Sequence, residues 1–252
     1  MIDPAVVGGF ALLLIRPGAL VTSAPALGMI FTPVPVKAGL VAVLALALFP
    51  LVETPQGVGT AALGVIAARE TAIGLALGFS VRLFIAGAEM AGHLSGFQLG
   101  FAYASLVDPA SGVRNNIIAA LYGSIALMVF LGTNAHHMLI GALALSYDAL
   151  PVGVGGVDAS IVEVAMDMAG VVFGLGARLA APVVVVLIVV EIALGLMSRA
   201  APALNILMMG FGVRVLVGLA VLAAVLGLLP VALEEAIPGV LELAARTASA
   251  FR

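Results

Sequence analysis

Apolar residues run along this chain in six long stretches with little alternation: Ala5 to Ile30, Ala38 to Leu51, Ala61 to Ala88, Ile117 to Leu145, Gly170 to Met197 and Leu204 to Leu229. Runs that are apolar on every side predict helices that meet hydrocarbon or other protein around their whole circumference. At about 20 residues per crossing, five can span a bilayer, and the second must be extended to do so. Turn residues mark the joints: Pro33-Val34-Pro35 after the first stretch, Thr54-Pro55-Gln56-Gly57 after the second and Pro151-Val152-Gly153-Val154-Gly155-Gly156 after the fourth. The pattern predicts an all-α, polytopic membrane-type protein with no separate soluble domain.

One segment breaks the pattern. From Gly96 to Gly112 the chain reads GFQLGFAYASLVDPASG, placing Gln98, Ser105, Asp108, Pro109, Ser111 and Gly112 among Phe97, Phe101, Tyr103, Leu106 and Val107. A solvated loop would not hold so many large apolar groups, and unpaired backbone is costly in hydrocarbon. Irregular backbone buried in protein, or lining a passage, satisfies both constraints. Gly96, Gly100 and Gly112 would give the segment flexibility, and Asp108-Pro109 would fix a turn at the end of its apolar part.

Composition sharpens the class. Of 252 residues, 63% are hydrophobic and 9% charged, with net charge −3 and a mean hydropathy of +1.30, against roughly 25% charged residues in soluble domains. No cysteine is present, which removes disulfides, thiolate nucleophiles and cysteine metal sites. With three Tyr and no Trp, interfacial anchors are few, as chance or a surface that meets other subunits would give. The apolar N-terminal run contains Arg16 and lacks a basic leader, so it reads as a retained helix rather than a secretory signal. Under six spans, Lys37, Arg114 and Arg199 fall in the odd connections, which places the N-terminus outside by the positive-inside rule, although Arg246 and Arg252 in the tail oppose that topology.

Nine charges fall within or at the ends of apolar stretches: Arg16, Arg69, Glu70, Arg82, Glu89, Arg178, Glu191, Arg199 and Arg214. At a helix centre each costs about 2.5 to 3.5 kcal/mol on an insertion scale. Arg82 and Glu89 lie seven apart and Glu191 and Arg199 eight apart, neither of which is a local ion-pair spacing. Their partners are expected on other helices, on another chain or in water. His136 and His137, being adjacent, are expected to point about 100° apart and not to form a joint metal site. Small-residue faces recur at Gly74-Leu75-Ala76-Leu77-Gly78 and from Gly170 to Gly176, suited to close helix packing within the chain or between subunits.

Enzyme signatures are missing: no His-Glu-x-x-His, no phosphate loop and no intramembrane-protease motif. Gly92-His93-Leu94-Ser95-Gly96 lacks the spacing and setting of a nucleophile elbow. No catalytic residue, metal or cofactor is therefore expected, and the basic residues are too few for nucleic-acid binding. A small proton-coupled transporter using the buried Glu, Arg and His side chains is the alternative, although only one broken region, near Asp108, is visible where such folds often carry a pair.

Several motifs together resemble the FliR family of export-gate subunits. They are Ala88-Glu89-Met90-Ala91-Gly92 leading into Gly96-Phe97-Gln98-Leu99-Gly100 and Val107-Asp108-Pro109-Ala110-Ser111; Thr133-Asn134-Ala135-His136-His137; and Ala193-Leu194-Gly195-Leu196-Met197-Ser198-Arg199-Ala200-Ala201-Pro202 with Asn205 and Met209-Gly210-Phe211. Arg16 and Pro35-Val36-Lys37 extend the likeness over nearly the whole chain. The resemblance implies a noncatalytic subunit of the type III protein export gate of the bacterial flagellum. It would be a single chain similar to a FliP-like part (about 1–160) fused to a FliQ-like part (about 161–252), its tilted helical hairpins joining several FliP and FliQ subunits in a helical hetero-oligomer, beside FlhB and FlhA. It further implies a place in the inner membrane at the flagellar basal body, partly raised to the periplasmic side, with unfolded flagellar export substrates passing through. Phe101, Tyr103, Leu106, Val107, Asp108 and Pro109 would then belong to a plug closing the passage. Glu191, Gly195, Arg199, Pro202 and Asn205 would serve subunit packing.

Overall fold

The computed structural model describes residues 4–25, 27–28, 32–55, 60–101, 116–153, 160–201 and 206–249. All the regular structure among them is helical: α1 (Pro4–Leu13), α2 (Ile15–Ser23), α3 (Val34–Leu48), α4 (Thr60–Gln98), α5 (Ile117–Gly132), α6 (Ala135–Ala149), α7 (Ser160–Ala200), α8 (Ile206–Glu234) and α9 (Ile237–Ser249).

The structure redraws the six expected helices in four places. The first run stays helical through Leu14, loses one hydrogen bond at Pro17, which has no N–H, and ends at Ser23. The Ile117 to Leu145 run is two helices bent by 68° at Thr133-Asn134, where Asn134 is left-handed with φ 58°; Asn tolerates that conformation better than most residues. The third run extends beyond Ala88 to Gln98, because Gly92 and Gly96 are contact points rather than breaks. The amphipathic α9 lies outside the six runs altogether.

Six spans are not supported. Among the described residues, three stretches are long and apolar enough to cross a membrane, Ala62–Gln98, Met166–Ala200 and Gly210–Glu234, and the bent pair α5 and α6 makes a fourth if taken as one. With 39 residues in α4 and 41 in α7, at about 1.5 Å per residue each helix runs roughly 60 Å. A hydrocarbon core of about 30 Å, crossed even at the 40° extreme of tilt, takes up only about 39 Å. Part of each helix must therefore lie outside the hydrocarbon.

The chain divides into two compact units, one of residues 1–84, 130–170 and 237–252, the other of residues 85–129 and 171–236. In the first, α2 continues α1 through Leu14 and packs on α3, and α9 packs on α6. The face of α9 carrying Ile237, Val240, Leu243, Ala244 and Thr247 is buried, at the spacing of an amphipathic helix. Arg246 pairs with Asp167 of α7 at 3.1 Å. Gly74 and Gly78 of α4 lie against the backbone of α2: a Cβ at Gly74 would meet the Arg16 carbonyl, and one at Gly78 would meet Ser23 and the Leu20 carbonyl. This small-residue face is spent inside the chain. In the second unit the same device recurs, with Gly92 against the Ala119 backbone. Leu99, Tyr122, Val183 and Leu187 are buried there, whereas the apolar Phe173, Val189, Leu196, Leu216 and Val231 stay exposed.

Candidate functional site

Two features stand out, one in each unit. The first is a clasp of buried charge. Arg16 is fully buried, and so is Glu70. The Arg16 guanidinium donates Nε–H to Glu70 Oε2 at 2.7 Å and an Nη2 hydrogen to Oε1 at 3.0 Å, a bidentate pairing that a lysine could not reproduce. It also donates to Ser146 Oγ at 2.9 Å and to the Leu150 carbonyl at 3.0 Å, and stands 4.0 Å over the Tyr147 ring, a cation–π contact. Pro17 leaves the Leu13 carbonyl without its helical donor, and the Tyr147 hydroxyl supplies one at 3.3 Å. The clasp thus ties α1 and α2 to α4 and to the end of α6, with every charged atom occupied.

Tyr147 has two separable roles here. Tyr147→Phe keeps the ring beneath Arg16 and removes only the donor to the Leu13 carbonyl. We expect it to lower stability by about 1 kcal/mol, measured as a reduced thermal midpoint of the purified chain in detergent, with Tyr147→Ala losing several times more through the lost ring volume.

The second feature is the neck from which residues 102–115 depart. The helix α4 ends in a Schellman motif: Phe101 N–H donates to the Gly96 carbonyl at 3.1 Å and Gly100 N–H to the Phe97 carbonyl at 3.0 Å. Gly100, at φ 89°, takes the left-handed position that closes such an end. On the returning side, Asn116 donates from Nδ2 to the Gly92 and His93 carbonyls at 3.4 Å each, and its Oδ1 accepts from Ile118 N–H at 3.0 Å. The outgoing and returning strands of chain are thereby held together, and a Cβ at Gly96 would collide with the Asn116 side chain. Of the residues expected in the plug, Phe101 is described and exposed. Tyr103, Leu106, Val107, Asp108 and Pro109 lie outside the described residues, as does Gly112.

Three of the other charges, Arg178, Glu191 and Arg214, pair across to another helix or to the residue that follows it. Glu191 pairs with Arg214 of α8 at 2.6 Å, and Arg178 with Glu235 at 3.5 Å. Arg199 is exposed at the end of α7, and nothing lies within 4 Å of a Cβ built at Gly195; Pro202 and Asn205 lie outside the described residues. The rings of His136 and His137 lie with centroids 4.1 Å apart and planes tilted by 48°, both in the first turn of α6. Among the described residues no group of three His, Asp or Glu side chains could hold a metal ion.

These features define an all-α membrane-class protein whose helices hold together the two ends of a segment rich in apolar residues. Its sequence places it further: residues 7–239 match the family of bacterial export proteins, family 1, and the chain belongs to that family. It is similar to the flagellar biosynthetic protein FliR of Escherichia coli (strain K12), with 31% identity over 217 residues, covering 86% of this chain and 83% of the relative. The FliR of Caulobacter vibrioides is 30% identical over 216 residues (84% and 86% covered), and that of Bacillus subtilis (strain 168) 28% identical over 212 residues (82% and 82%).

Proposed function

We propose that this chain is a noncatalytic subunit of the flagellar type III protein export gate, where it helps form the central passage and closes it at rest with the segment that leaves the neck. The observation that carries this reading is the family match across residues 7–239, joined by the FliR relatives over most of their length. The neck adds a physical argument: Gly100 and Asn116 fix both ends of the segment, so Phe101, Tyr103, Leu106 and Val107 can be presented from a rigid base. A ring of large apolar groups excludes water and ions by dewetting, and an unfolded substrate driven through would displace it.

The partners proposed are several FliP and FliQ subunits, with FlhB and FlhA beside them, in the inner membrane at the basal body. Helices α4 and α7, which overrun a hydrocarbon core about twofold, support an assembly partly raised to the periplasmic side. Phe173, Val189, Leu196, Leu216 and Val231, exposed on α7 and α8, support burial against other subunits. The FliP-like part (about 1–160) and FliQ-like part (about 161–252) belong to the same proposal. The saturated Arg16–Glu70 pair, with no atom left to relay a proton, favours a structural use of buried charge over proton-coupled transport.

The experiment is coexpression with FliP and FliQ, purification through a tag on this chain and native mass spectrometry. A defined hetero-oligomer containing one copy is the expected result; a monomer or homodimer that ignores both partners would overturn the reading. Within that complex, Arg199→Leu tests the packing role of the α7 end. Recovery of the complex should fall several-fold, while normal recovery with lost export would instead put Arg199 in the passage.

A further inference from the structure

Helices α7 and α8 flank an open, shallow groove of about 770 Å³ lined by Pro182, Val186, Val217, Val221, Ala224 and Leu228, among others, with almost no polar surface. Five of its ten lining residues are valine, whose branched side chains have little rotamer freedom. It lies between two helices that each meet the length and hydropathy of a membrane span. One end is marked by charge. Arg178 stands one turn before Pro182 on the same face of α7, and Glu235 directly follows α8. They meet at 3.5 Å with side chains 73% and 62% exposed, a loose pair that keeps most of its hydrogen-bonding capacity for something else.

We propose that this groove holds an acyl chain of a zwitterionic phospholipid, whose phosphate sits on Arg178 and whose ammonium sits on Glu235. The two charges match that headgroup in sign and in closeness. An anionic lipid would satisfy Arg178 but meet repulsion from Glu235 and its exposed neighbour Glu234. The proposal stands beside the export reading, which assigns to subunit contacts other residues of α7 and α8 than those that line this groove.

The test uses the full chain, with any subunits that accompany it, extracted in mild detergent and titrated with phosphatidylethanolamine, phosphatidylglycerol or diacylglycerol of matched chains. Native mass spectrometry counts the lipid retained. A phosphatidylethanolamine carrying a photoreactive acyl chain locates it. The expected result is preferential retention of one phosphatidylethanolamine, with label on residues 181–186 or 217–228. Arg178→Gln should lower retention about fivefold, the effect of one basic residue near a phosphate surface. Arg178→Lys should restore most of it. Ala224→Leu, which adds bulk at an exposed lining position, should lower retention of all three lipids about tenfold, while circular dichroism and elution volume stay those of the parent. Equal retention of the three lipids by parent and Arg178→Gln would mean ordinary lipid contact and overturn the proposal. So would label outside the hairpin, or a polypeptide seated on α7 and α8 that excludes the probe.

Discussion

Replacing Arg16 with Met is expected to destabilise this protein by about 3–5 kcal/mol, the penalty for leaving a buried partner charge uncompensated. Glu70 would keep two buried acceptor oxygens stripped of their Arg16 donors, and the Leu150 carbonyl would lose its partner as well. The measurement is the fraction of chain recovered in folded form from detergent, together with its thermal midpoint. The informative companion is Arg16→Met with Glu70→Leu. Apolar replacement of a whole buried pair is often neutral, so the double variant should recover much of the loss, short of the contribution from Leu150 and Ser146. A single variant as stable as the parent, or a double variant worse than either single, would show that the clasp does not hold the helices as its geometry implies.

The second large effect belongs to the passage. Deleting Phe101 to Val107 should turn the assembled gate from tight to leaky, raising small-ion conductance in a planar bilayer by an order of magnitude or more if dewetting provides the seal. The neck explains why assembly should survive. Asn116 and its contacts to Gly92 and His93 stay in place, and Gly100 still ends α4. Conductance equal to the parent's, in a complex of unchanged mass, would remove the plug from the proposed mechanism.

Hydropathy made the helical class readable because the chain has so few charges to interrupt its runs. It could not show the bend at Asn134, since Thr133-Asn134-Ala135-His136-His137 is a short polar stretch within one long apolar run and a single left-handed residue carries little compositional signal. It misjudged the end of α4 for the opposite reason: Gly92, Ser95 and Gly96 look like breakers until their tight approach to Ala119 and Asn116 is seen. The helix α9 escaped because its stripe of Ile237, Val240, Leu243 and Ala244 is amphipathic and short, below the level of a spanning run. That Arg16, Arg178 and Glu191 need distant partners follows from spacing alone. Which partners they take does not, because nothing in the local sequence of Arg16 points to Glu70, 54 residues on. Ser146 and Tyr147 were missed for the same reason; the one available signal was Pro17, which frees a carbonyl and so requires a donor from elsewhere.

The clasp also dictates an order of biogenesis. Arg16 is synthesised 54 residues before Glu70 and 130 before Ser146, and the donor that Pro17 makes necessary comes 134 residues after the carbonyl it serves. Until more than half of the chain has left the ribosome, the first two helices carry an unneutralised cation and an unsatisfied backbone oxygen. They are therefore poorly suited to settle alone in hydrocarbon. The beginning of this protein becomes a finished membrane structure only when its middle arrives, and a nascent chain halted before Tyr147 should leave its first helices within easy reach of chaperones and proteases.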